Sequence, residues 1–120
     1  MDLDRVCEEI LTHYRAVDSA AASVAEISGL ACPPGCGQCC QTPEIQATAF
    51  EMLPMARSII DSERTDSLGD LDPGTCVLFE QGSRPGLGRC RAYELRPLVC
   101  RLFGYAARRD KAGLPEFAAC

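Results

Sequence analysis

The stretch Cys32-Pro33-Pro34-Gly35-Cys36-Gly37-Gln38-Cys39-Cys40 decides how this chain folds. Two prolines and two glycines in so short a run forbid a regular helix and favour a tight, folded loop. Its cysteines are spaced C-x3-C-x2-CC, and intervals of two or three residues let sulfurs on turns converge within one coordination shell. Cys39 and Cys40 are adjacent, and neighbouring side chains on extended backbone point to opposite sides. One of them is then free to face a metal while the other faces a second site or the core. The knot can close a four-ligand site alone, or share one with the later Cys76, Cys90 and Cys100.

Nine cysteines in 120 residues mean disulfides or metal, and compartment separates the two. Met1 to Leu11 is acidic from its second residue and has no basic start followed by an apolar run, so no export signal is visible. No stretch of about twenty apolar residues is present to span a bilayer. The expectation is a soluble, cytoplasmic chain with reduced thiols, and an odd cysteine count also suits a disulfide framework badly. The length fits one domain over residues 1–120.

A net charge of -5 and a pI near 4.8 argue against a nucleic-acid partner. The charge is unevenly spread: residues 1–31 hold six acids against two arginines, whereas residues 80–120 hold eight bases against four acids. The basic half is the half of the later cysteines. Zn²⁺ with four thiolates and an oxidised 4Fe-4S cluster with four thiolates carry the same net negative charge, so Arg89, Arg91, Arg96 and Arg101 would stabilise either centre.

Upstream of the knot, apolar residues at Leu3, Val6, Ile10, Leu11, Tyr14, Val17, Ala21, Val24 and Ile27 recur at helical spacing. They predict a long N-terminal helix capped by Asp2 or Asp4 and closed by Gly29. His13, the one histidine, has no partner in a ligand spacing and reads as a surface or half-buried residue; Cys7 reads as a small apolar filler. Downstream, Thr42, Pro43 and Glu44 predict the start of a second helix running to about Leu53, which Pro54 interrupts, with Met55–Ile60 as a kinked continuation or a separate turn. Met52 and Met55 read as core packing. The polar stretch Asp61–Asp72 reads as a mobile loop.

Residues 75–79 read as a short strand, 81–88 as a turn and 89–93 as the return, together a small hairpin. Pro97 then opens a short C-terminal helical turn, with Cys100 three residues on. Cys90 and Cys100 approach the knot only if the hairpin and this turn fold back on it, in which case ligation fastens both halves of the chain. The fold class expected is mainly α: a small metal-stapled domain with minor sheet content.

The knot, the later Cys76-Val77-Leu78-Phe79, and Tyr93-Glu94-Leu95-Arg96-Pro97-Leu98-Val99-Cys100-Arg101 together resemble the CxxCxxCC cysteine-cluster family, which includes the YkgJ-like proteins. The resemblance covers residues 30–104. It implies zinc or iron chelation, with Cys32, Cys36, Cys39, Cys40, Cys76, Cys90 and Cys100 as candidate ligands and Tyr93, Arg96, Pro97 and Arg101 as framework. Here the first cysteine gap has three residues where the family pattern has two, and Gly104 stands where a proline is usual. Cys120 is a further cysteine without a flanking motif.

Zn²⁺ and a 4Fe-4S cluster both suit all-thiolate ligation. Three cysteines in a compact loop with a remote fourth favours the cluster. The expected function is a metal-binding cysteine-cluster protein. The alternatives are an accessory or catalytic metalloenzyme subunit and a thiol-redox or metal-trafficking module using Cys39 and Cys40. No GxGxxG, P-loop, GxSxG or CxxCH motif accompanies the cysteines. No catalytic residue is therefore assigned, and a protein partner is left unnamed.

Overall fold

The computed structural model describes the chain apart from residues 31, 34, 43–44, 69–73, 106 and 118–120. Helix α1 spans Leu3–Ser28; the Asp2 carboxylate accepts from the Arg5 N–H at its start. Gly29, at a φ of 72°, ends it by donating its N–H to the Ala25 carbonyl at 2.9 Å. Cap and stop are those the sequence predicts. Only Cys7, Ile10 and Tyr14 along α1 are buried, so packing uses the first half of its apolar face, and Ile27 is almost fully exposed. Cys7 is thus an apolar filler and His13 an exposed surface residue, as expected. No helix among the described residues is long and apolar enough to cross a membrane.

The second helix begins later than Thr42-Pro43-Glu44 suggests. α2 spans Leu53–Asp61, with Pro54 in its first turn, where the missing N–H costs nothing. The entry is built by Thr48 and Glu51: the Thr48 N–H donates to the Glu51 carboxylate at 2.8 Å and the Glu51 N–H donates to Thr48 Oγ1 at 3.2 Å. This reciprocal pair is a capping box. It opens a turn that runs straight into α2, so Pro54 starts the helix instead of interrupting it. Pro43 and Glu44 lie outside the described residues. So do 69–72 of the expected loop, in which Thr65–Leu68 forms a single 3-10 turn.

α2 lies against α1. The Tyr14 hydroxyl donates to the Glu51 carbonyl at 2.9 Å, and Arg57 pairs with Asp4 at 3.1 Å. Both methionines pack as expected: Met55 is 2% exposed and Met52 lies against the same cluster.

The hairpin has strands β1 (Phe79–Gln81) and β2 (Gly88–Cys90), antiparallel, with Phe79 opposite Cys90 and Gln81 opposite Gly88. Its first strand starts at Phe79, because the preceding residues close a turn through the Phe79 N–H to the Cys76 carbonyl at 3.0 Å. Pro97 opens α3 (Leu98–Leu102) where expected. A second hairpin, β3 (Ala107–Arg109) with β4 (Pro115–Phe117), follows. It is closed by the Asp110 carboxylate, which accepts from the N–H groups of Ala112 and Leu114, and by Gly113 at a φ of 81°. The sequence reading missed it, although an Asp followed three residues later by Gly is a turn signal.

The central hydrophobic cluster consists of Cys40, Met55, Leu78 and Cys90, so two of its four buried members are thiols.

Candidate metal centre

Glycine lets the knot dock on the first hairpin. Gly37 has a φ of 64°, and a Cβ there would stand 2.7 Å from the Phe79 ring; at Gly88 a Cβ would strike the Glu80 carbonyl and the same ring. The Gly88 N–H donates to the Gly35 carbonyl at 2.9 Å, and the Gln41 amide donates to the carbonyls of Gly37 and Gly86 at 3.1 and 2.9 Å. The Cys76 N–H donates to the Cys40 carbonyl at 2.6 Å. The hairpin thus folds back on the knot, bringing Cys76 and Cys90 to it.

From the other side the knot meets α3. Cys39, Cys40 and Gln41 form a 3-10 turn, not the extended pair the sequence reading assumed, yet the two cysteines still diverge. Cys40 enters the core, while Cys39 faces Cys100. Two cavities result. One of about 410 Å³ is lined by Cys32, Cys36, Cys39 and Cys100, with Arg96 and Tyr93 beside them. The other, of about 430 Å³, is lined by Cys39, Cys40, Cys76, Cys90 and Cys100. Cys39 and Cys100 stand on the wall common to both. Cys40 and Cys90 are buried, whereas Cys76 is exposed at the rim. All eight described cysteines carry free thiols, and Cys120 lies outside the described residues.

Four of these sulfurs lie close enough to perturb one another's ionisation, in the order Cys100, Cys39, Cys40, Cys76. Interaction with the Cys100 thiol and then the Cys40 thiol, helped by the nearby charge of Arg96, holds the Cys39 thiol well below the ordinary range. Interaction with Cys39 and then Cys76, followed by burial, pushes Cys40 up. Cys76 is drawn down to about 6, chiefly by its interaction with Cys40. Cys100 is raised by its interaction with Cys39 and then by burial. Burial first, then neighbouring Cys36, raises Cys32; burial raises Cys90. Cys39 and Cys76 are thus held below the ordinary thiol range, and Cys40 and Cys100 above it.

The arginines divide by role. Arg96 lies over the Tyr93 ring at 3.7 Å and donates to the carbonyls of Tyr93 and Cys100 at 3.0 and 3.5 Å, which holds its charge beside the first cavity. Arg101 is buried and structural: it donates to the Asp18 carboxylate and to the carbonyls of Arg96 and Glu94, and stacks 4.6 Å from Tyr14. Arg91 reaches Glu80 at 3.9 Å and Arg89 lies over Tyr93; neither lines either cysteine cavity, contrary to the expectation that all four neighbour the centre.

The donor set fits a soft, thiophilic metal or an iron-sulfur cluster. Thiols line both cavities, and among the described residues the one lining carboxylate, Asp18, is engaged by Arg101. Among the described residues no three Cys, His, Asp or Glu side chains already form a group that could hold a metal ion, so binding requires the thiols to close in.

No curated protein and no solved structure compared with the chain matches it. A family model does match, over residues 31–118, which begins at the knot and takes in both hairpins. On that match the chain belongs to the CxxCxxCC family, described as "Putative zinc- or iron-chelating domain".

Proposed function

We propose that this chain is a thiolate metal-binding domain whose principal centre is a 4Fe-4S cluster, with Zn²⁺ as the competing occupant, held by Cys32, Cys36, Cys39 and Cys100. The observation that carries the reading is the first cavity, where three cysteines of one compact loop meet a remote fourth beside the positive charge of Arg96. The remaining candidates, Cys40, Cys76 and Cys90, line the adjoining cavity.

Ligation from the loop and from α3 would fasten the two halves of the chain. The buried cluster of Cys40, Met55, Leu78 and Cys90 is small, and structural metal binding contributes of order 10 kcal/mol. A bound cluster also supplies one-electron chemistry, which a zinc ion does not. Arg96 offsets the negative charge of either occupant, and Tyr93 fixes where that charge sits. Thiols that still carry protons give them up as the metal enters. The reading takes the chain to work in a reducing compartment, the cytoplasm.

Anaerobic purification followed by iron, sulfide and zinc quantification and visible absorption tests it. Iron and sulfide in equal amounts, with charge-transfer absorption that disappears in Cys32→Ser and Cys100→Ser, is the expected result. Stoichiometric zinc without sulfide would overturn the cluster, and absence of any metal would overturn the domain's role.

A further inference from the structure

We infer that the chain holds a site for a small organic phosphate, away from the cysteines, in the groove between the end of α2 and the outer face of β2. No cysteine lines this groove, so the inference stands apart from the metal-binding reading.

Three observations carry it. First, strand geometry turns two arginines away from the cysteines. Side chains alternate along β2, so Gly88 and Cys90 are buried on one face while Arg89 is exposed on the other, and Arg91 follows just past the strand. Both arginines line the groove, and neither lines a cysteine cavity. Second, the groove is concave. It holds about 520 Å³, within the range of roughly 300–1,000 Å³ that small-molecule sites occupy. Part of its lining is apolar, from Leu78, which is buried, and from Ile59 and Leu95, which are half-buried. Third, the charge there is opposite in sign to the chain's net charge of -5. Arg64 joins Arg89 and Arg91 in the lining, against one carboxylate, Glu94, among the described residues. Arg91 meets Glu80 at 3.9 Å in an exposed ion pair, the kind that contributes little and that a ligand can displace. Arg89 stands 5.3 Å from the Tyr93 ring, which Arg96 holds in place by stacking on it at 3.7 Å.

These features select the ligand. Guanidinium forks match pairs of phosphate oxygens, and two of them in one groove suit a dianion better than a single carboxylate. The C-terminal end of α2 contributes Ser58 and Ser62 to the lining, and the negative end of its dipole disfavours a second anionic group there. The ligand is therefore a phosphomonoester with its phosphate on Arg89 and Arg91 and its apolar body against Leu78, Ile59 and Leu95. Binding is non-covalent and changes no oxidation state.

Calorimetric titration of the full-length chain with phenyl phosphate, inorganic phosphate and phenol tests this. Phenyl phosphate should bind saturably at one per chain, inorganic phosphate more weakly, and phenol without saturation. Arg89→Gln/Arg91→Gln should weaken phenyl phosphate by about tenfold or more. Ser58→Asp, which adds a negative charge to the groove and keeps both arginines, should weaken it as well. Arg5→Gln/Arg15→Gln on α1 makes the same change in charge outside the groove and should leave it unaltered. All five substituted residues are exposed, and circular dichroism checks that each variant folds. No saturable binding of phenyl phosphate to the wild type, or equal weakening by the α1 pair, would overturn the site. Inorganic phosphate bound as tightly as phenyl phosphate would overturn the organic ligand class.

Discussion

Arg101 on α3 donates to the carboxylate of Asp18 on α1, a bond between residues 83 positions apart in the chain. The guanidinium is buried, and it also meets two backbone carbonyls and the face of Tyr14. Its Nε, Nη1 and Nη2 each donate to an acceptor, so a buried charge joins the long helix to the cysteine region. Removing one partner of a buried pair costs more than the pair contributes, because the other is left unpaired.

Arg101→Ala should therefore destabilise the chain by about 3–5 kcal/mol at fixed metal loading. Asp18 is half exposed, so water replaces it in part, and Asp18→Asn should cost less, about 1–3 kcal/mol. Urea denaturation of both variants checks the order; equal, near-zero losses would contradict the structural role given to Arg101.

Gly37→Ala should cost more than Gly29→Ala. Both glycines have a positive φ, worth about 1–2 kcal/mol of strain for an L residue. Only at Gly37 does the new methyl meet the Phe79 ring and the Gly88 carbonyl; at Gly29 it meets nothing within 4 Å. The excess cost should appear together with weaker metal retention, since the knot no longer seats on the hairpin. Denaturation midpoints and metal content of the two variants give the comparison.

The opposed shifts of the four cysteines set a pH dependence for the metal-free chain. Cys39 and Cys76 are lowered, so the stability they contribute is present above the ordinary thiol range and fades as pH falls toward their folded values, about 6 for Cys76. Cys40 and Cys100 are raised, so theirs is present below the ordinary thiol range and is lost as pH climbs above it. Stability should therefore peak near the ordinary thiol pKa, about 8.5, and fall on both sides, as read by denaturation across pH. Zinc binding near neutrality should also release fewer protons than the number of cysteines engaged, because Cys39 and Cys76 are held below the ordinary thiol range; calorimetry in buffers of different ionisation heat measures the difference.

Arg96→Leu should weaken the principal centre by roughly 10–100-fold, the usual effect of losing a group that supports a ligand set. Arg96→Lys should restore part of this, since it keeps the charge but not the stack over Tyr93. Competition with a chelator ranks the three proteins, and an unchanged affinity in Arg96→Leu would place the charge outside the site's energetics.

Elements with a strong local signal were legible in the sequence. α1 follows from apolar spacing and Gly29, and α3 from Pro97, because each signal is confined to its own turn. α2 was misplaced since two capping patterns compete in one short stretch, Thr42-Pro43-Glu44 and Thr48 with Glu51, and spacing alone does not rank them. Pro54 read as a breaker for the same reason: proline stops a helix in progress and favours one just begun. The later cysteines entered as candidate ligands through the family resemblance. Their division between two cavities was not legible, because it depends on where the hairpin and α3 dock, through Gly37, Gly88 and Arg101. The separate duties of Arg96 and Arg101 were hidden likewise, since both are basic and stand five residues apart.

X-ray absorption at the metal edge of anaerobically prepared, full-length protein tests the central claim most directly. Thiolate ligation by Cys32, Cys36, Cys39 and Cys100 predicts a first shell of sulfur alone, with metal-metal scattering when iron is bound. A first shell dominated by oxygen or nitrogen would contradict it.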